Sequence, residues 1–266
     1  MPNPSLLDAE HPSYDIDLLR QLRGRRLSAR VRVLCVIGAH RFDELPLIDE
    51  LFPALRRIYL FEPQAGPLAV LQHLARQDAR IRVFPVAVSD RDGTAQFHVT
   101  SNDGESSSLL VFGSHRDLFP DVEVQRTIDV PTRRLDSVLA EHGLEPPDML
   151  LIDVQGAEYQ VLKSLPPTLL ATVRLIYTEV STERVYESAG LLADVEALLV
   201  PRFVNLGYAP LRVDVPVHGN AVFAARDDVD DAIALTFTER ARRMRRRLRQ
   251  WLREKRRSLK GAGASR

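Results

Sequence analysis

The chain has 266 residues, 45% hydrophobic and 27% charged, enough for one large globular domain or two small ones with a sizeable core, which excludes disorder as the dominant state. No apolar run approaches the roughly 18–20 residues that span a bilayer, and Met1 to Pro12 carries acids where a signal peptide needs a basic and then an apolar stretch, so a soluble, cytoplasmic chain is expected. Net charge is zero, yet residues 236–266 hold 13 Lys or Arg against Glu239 and Glu254, so this tail is +11 and the preceding 235 residues are −11.

In chain order, residues 1–30 are expected to form a helical extension. Residues 31–226 then alternate short β-branched apolar runs with amphipathic stretches, the pattern of a mostly parallel sheet with helices on both faces. The predicted strands are Val31 to Ile37, Ile58 to Phe61, Ile81 to Val88, Met149 to Val154 and Leu175 to Val180. The predicted helices are Leu45 to Arg56, Pro67 to Gln77, Leu135 to His142 and Glu158 to Leu165; Leu45, Ile48, Leu51, Phe52 and Leu55 give the first of these one core-facing stripe. Asp136 is placed to cap the third. Thr94 to Thr100 and Glu123 to Thr132 alternate apolar and polar residues around a polar loop, 101–108, and predict an insertion of two antiparallel strands. After a helix at Leu191 to Leu199, Tyr208 to Val213 and Asn220 to Ala225 are expected to close the sheet as an antiparallel pair about a turn at Pro216 to Gly219. Residues 227–266 read as a linker and a basic amphipathic C-terminal helix. Within 236–260, Ala241, Met244, Leu248, Trp251 and Leu252 share one face among arginines, which suits an anionic membrane surface at its inner, cytoplasmic side, or a protein partner. Nucleic acid is disfavoured, since no reading surface accompanies the charge.

Open α/β sheets bind ligands beyond the carboxyl ends of their strands. Those ends read Gly38-Ala39-His40, Glu62-Pro63, Ser89-Asp90, Asp153-Val154-Gln155-Gly156 and Glu179. A glycine after the first strand and an acid, Glu62, after the second suit a nucleoside, the carboxylate accepting from the ribose hydroxyls. No G-x-G-x-x-G is present, which disfavours a pyrophosphate and favours a ligand with ribose and adenine but no phosphate, such as S-adenosylmethionine. The apolar run Met149 to Ile152 delivers Asp153 to the sheet edge, where a buried carboxylate is costly unless something requires it. Glu158 falls in the following helical turn, where the dipole favours an acid. Cys35 reads as a core residue. No metal site is expected: the seven histidines are scattered and no H-x-x-x-H or C-x-x-C occurs.

From about Val31 to Ala224 the chain resembles FkbM-type methyltransferases. The resemblance rests on Gly38-Ala39, Phe61-Glu62-Pro63, Ala87-Val88-Ser89-Asp90 with Gly93 and Phe97, Ser106-Ser107-Ser108, Thr132 with Leu135-Asp136, and, most specifically, Asp153-Val154-Gln155-Gly156-Ala157-Glu158. It implies the class I methyltransferase (Rossmann-like) α/β fold and an S-adenosylmethionine-dependent O-methyltransferase acting on a hydroxyl of a sugar, glycan or related natural product. It also implies a donor site at Gly38, Ala39, Glu62, Pro63, Ala87, Val88, Ser89 and Asp153. Asp153 is the expected base, with Glu158, His40 and Glu179 in reserve. In the usual first-strand motif D-V-G-A-N-x-G, Val36 here replaces the acid and Phe42 the second glycine. The alternative is therefore a catalytically degenerate methyltransferase-like binding or scaffold module.

Overall fold

A computed structural model describes residues 17–212 and 215–233; the basic segment 236–260 lies outside the described residues, as does the start of the N-terminal extension. Seven strands form the central sheet. They are β1 (Val33–Ile37), β2 (Arg57–Phe61), β3 (Ile81–Phe84), β7 (Met149–Ile152), β8 (Leu175–Ser181), β9 (Phe203–Arg212) and β10 (Val215–Ala225), in the spatial order β3-β2-β1-β7-β8-β10-β9. The first five run parallel, while β10 is antiparallel to both β8 and β9. The parallel, doubly covered sheet expected from the alternation is thus present, closed at one edge by a hairpin, as the class I methyltransferase fold implied by the resemblance requires.

The strand period of two separates the cores on the two faces. On β1, Leu34 and Val36 point into one, with Ile48 and Leu51 of α2 (Leu45–Leu51) and Leu71 of α3 (Ala65–Gln77). Val33, Cys35 and Ile37 point into the other, with Val138 of α5 (Leu135–Glu141), Val161 and Leu162 of α6 (Glu158–Ser164) and Val195 of α8 (Leu192–Leu199). Strands buried on both faces are why these runs are continuously apolar in the sequence.

Prolines explain two differences from the sequence pattern. The helix expected to reach Arg56 ends at Leu51, because Phe52 precedes Pro53 and leaves the helical region at φ −119°, ψ 72°. The strand expected over Ile81 to Val88 breaks at Pro85, which has no N–H for a ladder. Its remainder, β4 (Ala87–Val88), pairs with β6 (Val124–Arg133), which pairs antiparallel with β5 (Gly93–Thr100) in a separate three-stranded sheet. That sheet is the predicted insertion with one strand added. The turn expected at Pro216 to Gly219 is instead part of β10, and the hairpin reverses between Arg212 and Val215. Asp136 does not cap α5: it pairs with Arg134 at 3.0 Å.

Neither end of the expected domain is a boundary in the packing. Leu18, Leu19, Leu22 and Leu27 are buried in the same core as β1. At the other end, Asp228 is 4% exposed between Arg30 (2.8 Å) and Arg174 (2.9 Å), and Ala232 is fully buried. Among the described residues no helix is long and apolar enough to cross a membrane.

Candidate active site

The strand order reverses direction of growth between β1 and β7, and the crevice at that switch point is where an open α/β sheet binds its ligand. Gly38 and Asp153 face each other across it. Gly38 has φ +81°, and a Cβ there would lie 1.7 Å from the Asp153 carbonyl oxygen, so both conformation and space demand glycine. A cavity of about 470 Å³ opens here, lined by Gly38, Ala39, Glu62, Pro63, Ala87, Val88, Asp153 and Glu179 among others. Ser89 is not in its lining: its backbone N–H donates to Arg133 and its hydroxyl to Asp90.

Glu62 is held from the backbone. Its Oε2 accepts the His40 N–H at 2.9 Å and its Oε1 the Gln64 N–H at 2.7 Å, and the residue is 2% exposed. Burial pushes its carboxyl above the ordinary value, opposed by those two N–H donors. Each carboxylate oxygen retains a lone pair for a further donor such as a ribose hydroxyl.

The loop after β1 departs in sequence from D-V-G-A-N-x-G at Val36 and Phe42. His40 and Phe42 take φ +44° and +53°, the left-handed region that a glycine enters without cost. Phe42, 3% exposed, offsets that strain by burying its ring in the core. The His40 imidazole is turned to the Asp103 carbonyl at 3.1 Å, and Arg41 pairs with the Asp103 carboxylate. His40 therefore ties two loops and is not brought to the carboxylates.

Those carboxylates are Asp153, Glu158 and Glu179, each with an oxygen within 4.8 Å of the others, a group that could hold a metal ion. The sequence expects no His or Cys metal site and leaves a carboxylate-bound Mg2+ open, with Asp153 and Glu158 flanking one small site; the structure adds Glu179 to that pair. Glu158 shapes the turn: 5% exposed, it accepts the N–H of Val154 (2.9 Å) and of Gly156 (3.1 Å), and it does not line the cavity. Burial raises its carboxyl, opposed by those same donors. Asp153 is half-buried and faces the cavity.

A residue to which the sequence assigns no role of its own organises this group. Gln155, at φ +55°, donates its amide to Asp153 Oδ1 (2.7 Å) and Glu179 Oε2 (2.9 Å) and accepts the Tyr186 hydroxyl at 2.6 Å. Its carbonyl accepts the Ser108 hydroxyl at 2.6 Å. Glu179 Oε1 lies 3.1 Å from His218 Nε2, and His218 Nδ1 is 2.8 Å from Ser181 Oγ. His218 belongs to the segment read as a turn, so no pattern placed it here. His115, at the start of the short helix α4 (His115–Leu118), also lines the cavity without any sequence signal. Its ring stacks on Phe112 at 3.9 Å, and burial together with His218 pushes its pKa down to about 4, so it is neutral at neutral pH. The serine loop roofs the site. Ser107 bonds Gln64 and Thr100, and Gln64 donates to the Gly104 carbonyl at 3.2 Å.

A family model, the methyltransferase FkbM domain, matches residues 37–210. The 2-O-methyltransferase NoeI of Sinorhizobium fredii is 35% identical over 164 residues, 59% of this chain and 67% of that protein. The AMB antimetabolite synthetase AmbE of Pseudomonas aeruginosa is 31% identical over 162 residues, 50% of this chain and 8% of that protein. Among solved structures, methyltransferase FkbM from Methylobacillus flagellatus KT is 14% identical with a TM-score of 0.49, covering 73% of this chain and 43% of that one. The chain thus spans less than half of that solved protein.

Proposed function

Since the chain belongs to the FkbM methyltransferase family, we propose that it methylates a hydroxyl of a sugar, glycan or related natural product, with S-adenosylmethionine as donor. The observation that carries this reading is the single cavity joining Glu62, a buried carboxylate beyond β2, to Asp153 beyond β7 and Glu179 near the carboxyl end of β8. The similarity to a 2-O-methyltransferase supports oxygen as the acceptor atom.

The donor supplies an activated methyl group on a cationic sulfur, and the residues present fit it. Glu62 would accept from the ribose hydroxyls, the backbone of Gly38 and Ala39 would lie against the ligand, and the carboxylate group would favour its positive charge. Once bound, the donor would give that methyl to the acceptor oxygen and leave as S-adenosylhomocysteine. The hydroxyl proton passes to Asp153. A hydroxyl is a poor nucleophile, so the rate gains from orientation and from a base within reach. Gln155 fixes the Asp153 and Glu179 carboxylates relative to each other through one amide.

The alternative of a catalytically idle module rests on the sequence departures at Val36 and Phe42, in a stretch where Gly38, His40 and Phe42 take left-handed backbone. Calorimetric titration with S-adenosylhomocysteine, followed by transfer of tritiated methyl to a panel of methyl glycosides, tests the proposal. Binding without transfer to any hydroxyl compound would favour the idle module, and absence of binding would remove the donor assignment.

A further inference from the structure

Beyond the carboxylates the cavity continues along a chain of contacts from Glu179 to His218, from His218 to the Phe119 ring at 6.3 Å, and from Phe119 to His115 at 4.9 Å. We propose that this end, walled by His115, Phe119, Val122, Leu211 and His218, is the acceptor subsite, and that His115 recognises the acceptor by a hydrogen bond to a ring hydroxyl next to the one that is methylated. This rests on the glycoside reading given above and adds to it the residue that selects the substrate.

The first argument is the cost of the histidine. His115 is 1% exposed, its backbone N–H is fixed to the Val185 carbonyl at 3.0 Å, and its Nδ1 has no hydrogen-bond partner. Phe112, Phe119 and Tyr186 surround the ring at 3.9, 4.9 and 5.3 Å. A phenylalanine would fill that aromatic cage without leaving a buried nitrogen unpaired, and native structures rarely retain such an atom without a use for it. The second is the form of the ring. A neutral imidazole carries one donor and one acceptor nitrogen, the complement of a hydroxyl, which is also both. Of the neighbouring titratable groups, His218 is already engaged with Ser181 and Glu179, and the Tyr186 hydroxyl with Gln155.

The third argument is the composition of the walls. Phe119, Val122 and Leu211 offer an apolar surface, whereas Asp153, Glu179 and His115 offer polar groups. That combination matches a pyranose, whose C–H face is apolar and whose rim carries hydroxyls. An anionic acceptor would be repelled by the carboxylates.

The test compares wild type with His115→Phe, which keeps the stacking. Donor affinity is read by calorimetry with S-adenosylhomocysteine, and KM by methyl transfer to methyl glycosides of hexoses and 6-deoxyhexoses. Donor affinity should stay within about twofold while the glycoside KM rises about tenfold or more, the scale of one lost hydrogen bond. In the wild type, the His115 imidazole 15N signals should move on adding glycoside to the S-adenosylhomocysteine complex, which decides the matter even if the variant fails to fold. A KM within twofold of wild type, or imidazole signals that ignore the glycoside, would overturn the assignment while leaving the glycoside reading intact. An equal loss of donor affinity would place His115 in the donor site and also overturn it. If the wild type neither binds nor methylates any glycoside, the glycoside reading fails, and this inference falls with it.

Discussion

Exchanging one oxygen of Glu62 for an amide nitrogen is expected to damage both stability and donor binding. In Glu62→Gln the side chain keeps its shape, but the NH2 group must face either the His40 N–H or the Gln64 N–H, which now sit 2.9 and 2.7 Å from the carboxylate oxygens. Donor meets donor in a site that is 2% exposed, where an unsatisfied buried group costs about 1–3 kcal/mol. For a chain of this length that corresponds to a Tm lower by roughly 2–4 °C for each kcal/mol. The ribose contacts suffer separately: a hydrogen bond to a charged group is worth about 1.5–3 kcal/mol, and each 1.4 kcal/mol is tenfold in affinity. Calorimetry with S-adenosylhomocysteine should therefore show at least a tenfold weaker Kd, alongside the lower Tm in a thermal scan. Glu62→Ala should weaken binding by at least as much, but with room for water to satisfy the two N–H groups. A Gln variant that binds within twofold of wild type at an unchanged Tm would refute both the ribose role and the claim that the two backbone donors depend on this carboxylate.

Asp153→Asn should leave donor affinity largely intact and lower turnover on a methylated glycoside by roughly 100-fold or more, the scale of a lost proton acceptor; turnover within a few fold of wild type would move the base to Glu179. Gly156→Ala places a Cβ 2.7 Å from the Tyr186 ring at φ +102°, so urea denaturation should show a loss of at least about 1–3 kcal/mol, and an unchanged midpoint would mean that the turn yields freely. Residues 236–260 should carry the protein to anionic vesicles, each Lys or Arg near the surface contributing about 1 kcal/mol. Pelleting should fall at high salt and in a chain ending at Leu235, and equal pelleting of the two chains would shift the tail's role to a protein partner.

The sheet was legible in the sequence because strands buried on both faces admit few polar residues. Val33 to Ile37 and Met149 to Ile152 announce themselves as apolar runs whatever their neighbours, and Leu175 to Tyr177 opens a third strand. Strand ends are legible for a related reason: a polar residue following such a run, as Glu62 and Asp153 do, marks where the chain leaves the core. The position of Gly38 followed equally, since a close approach of backbones leaves no room for a side chain. What the linear chain does not encode locally is which ends converge and which side chains bridge them. Gln155 reads only as one residue of its motif until the tertiary structure sets its amide between Asp153, two residues before it, and Glu179, 24 residues after it. His218 reads as part of a turn because Pro216 and Gly219 carry turn propensity, yet pairing with β8 and β9 draws them into a strand and delivers the imidazole to Glu179. His115 opens the one-turn helix α4 in the long connection between β5 and β6, with no periodicity to mark it, and is placed by stacking on Phe112 and Tyr186 and by its N–H bond to the Val185 carbonyl. Local propensity and burial pattern fix the elements because they act over a few residues; the site is assembled from contacts between residues dozens of positions apart, whose energies exist only once the chain has folded.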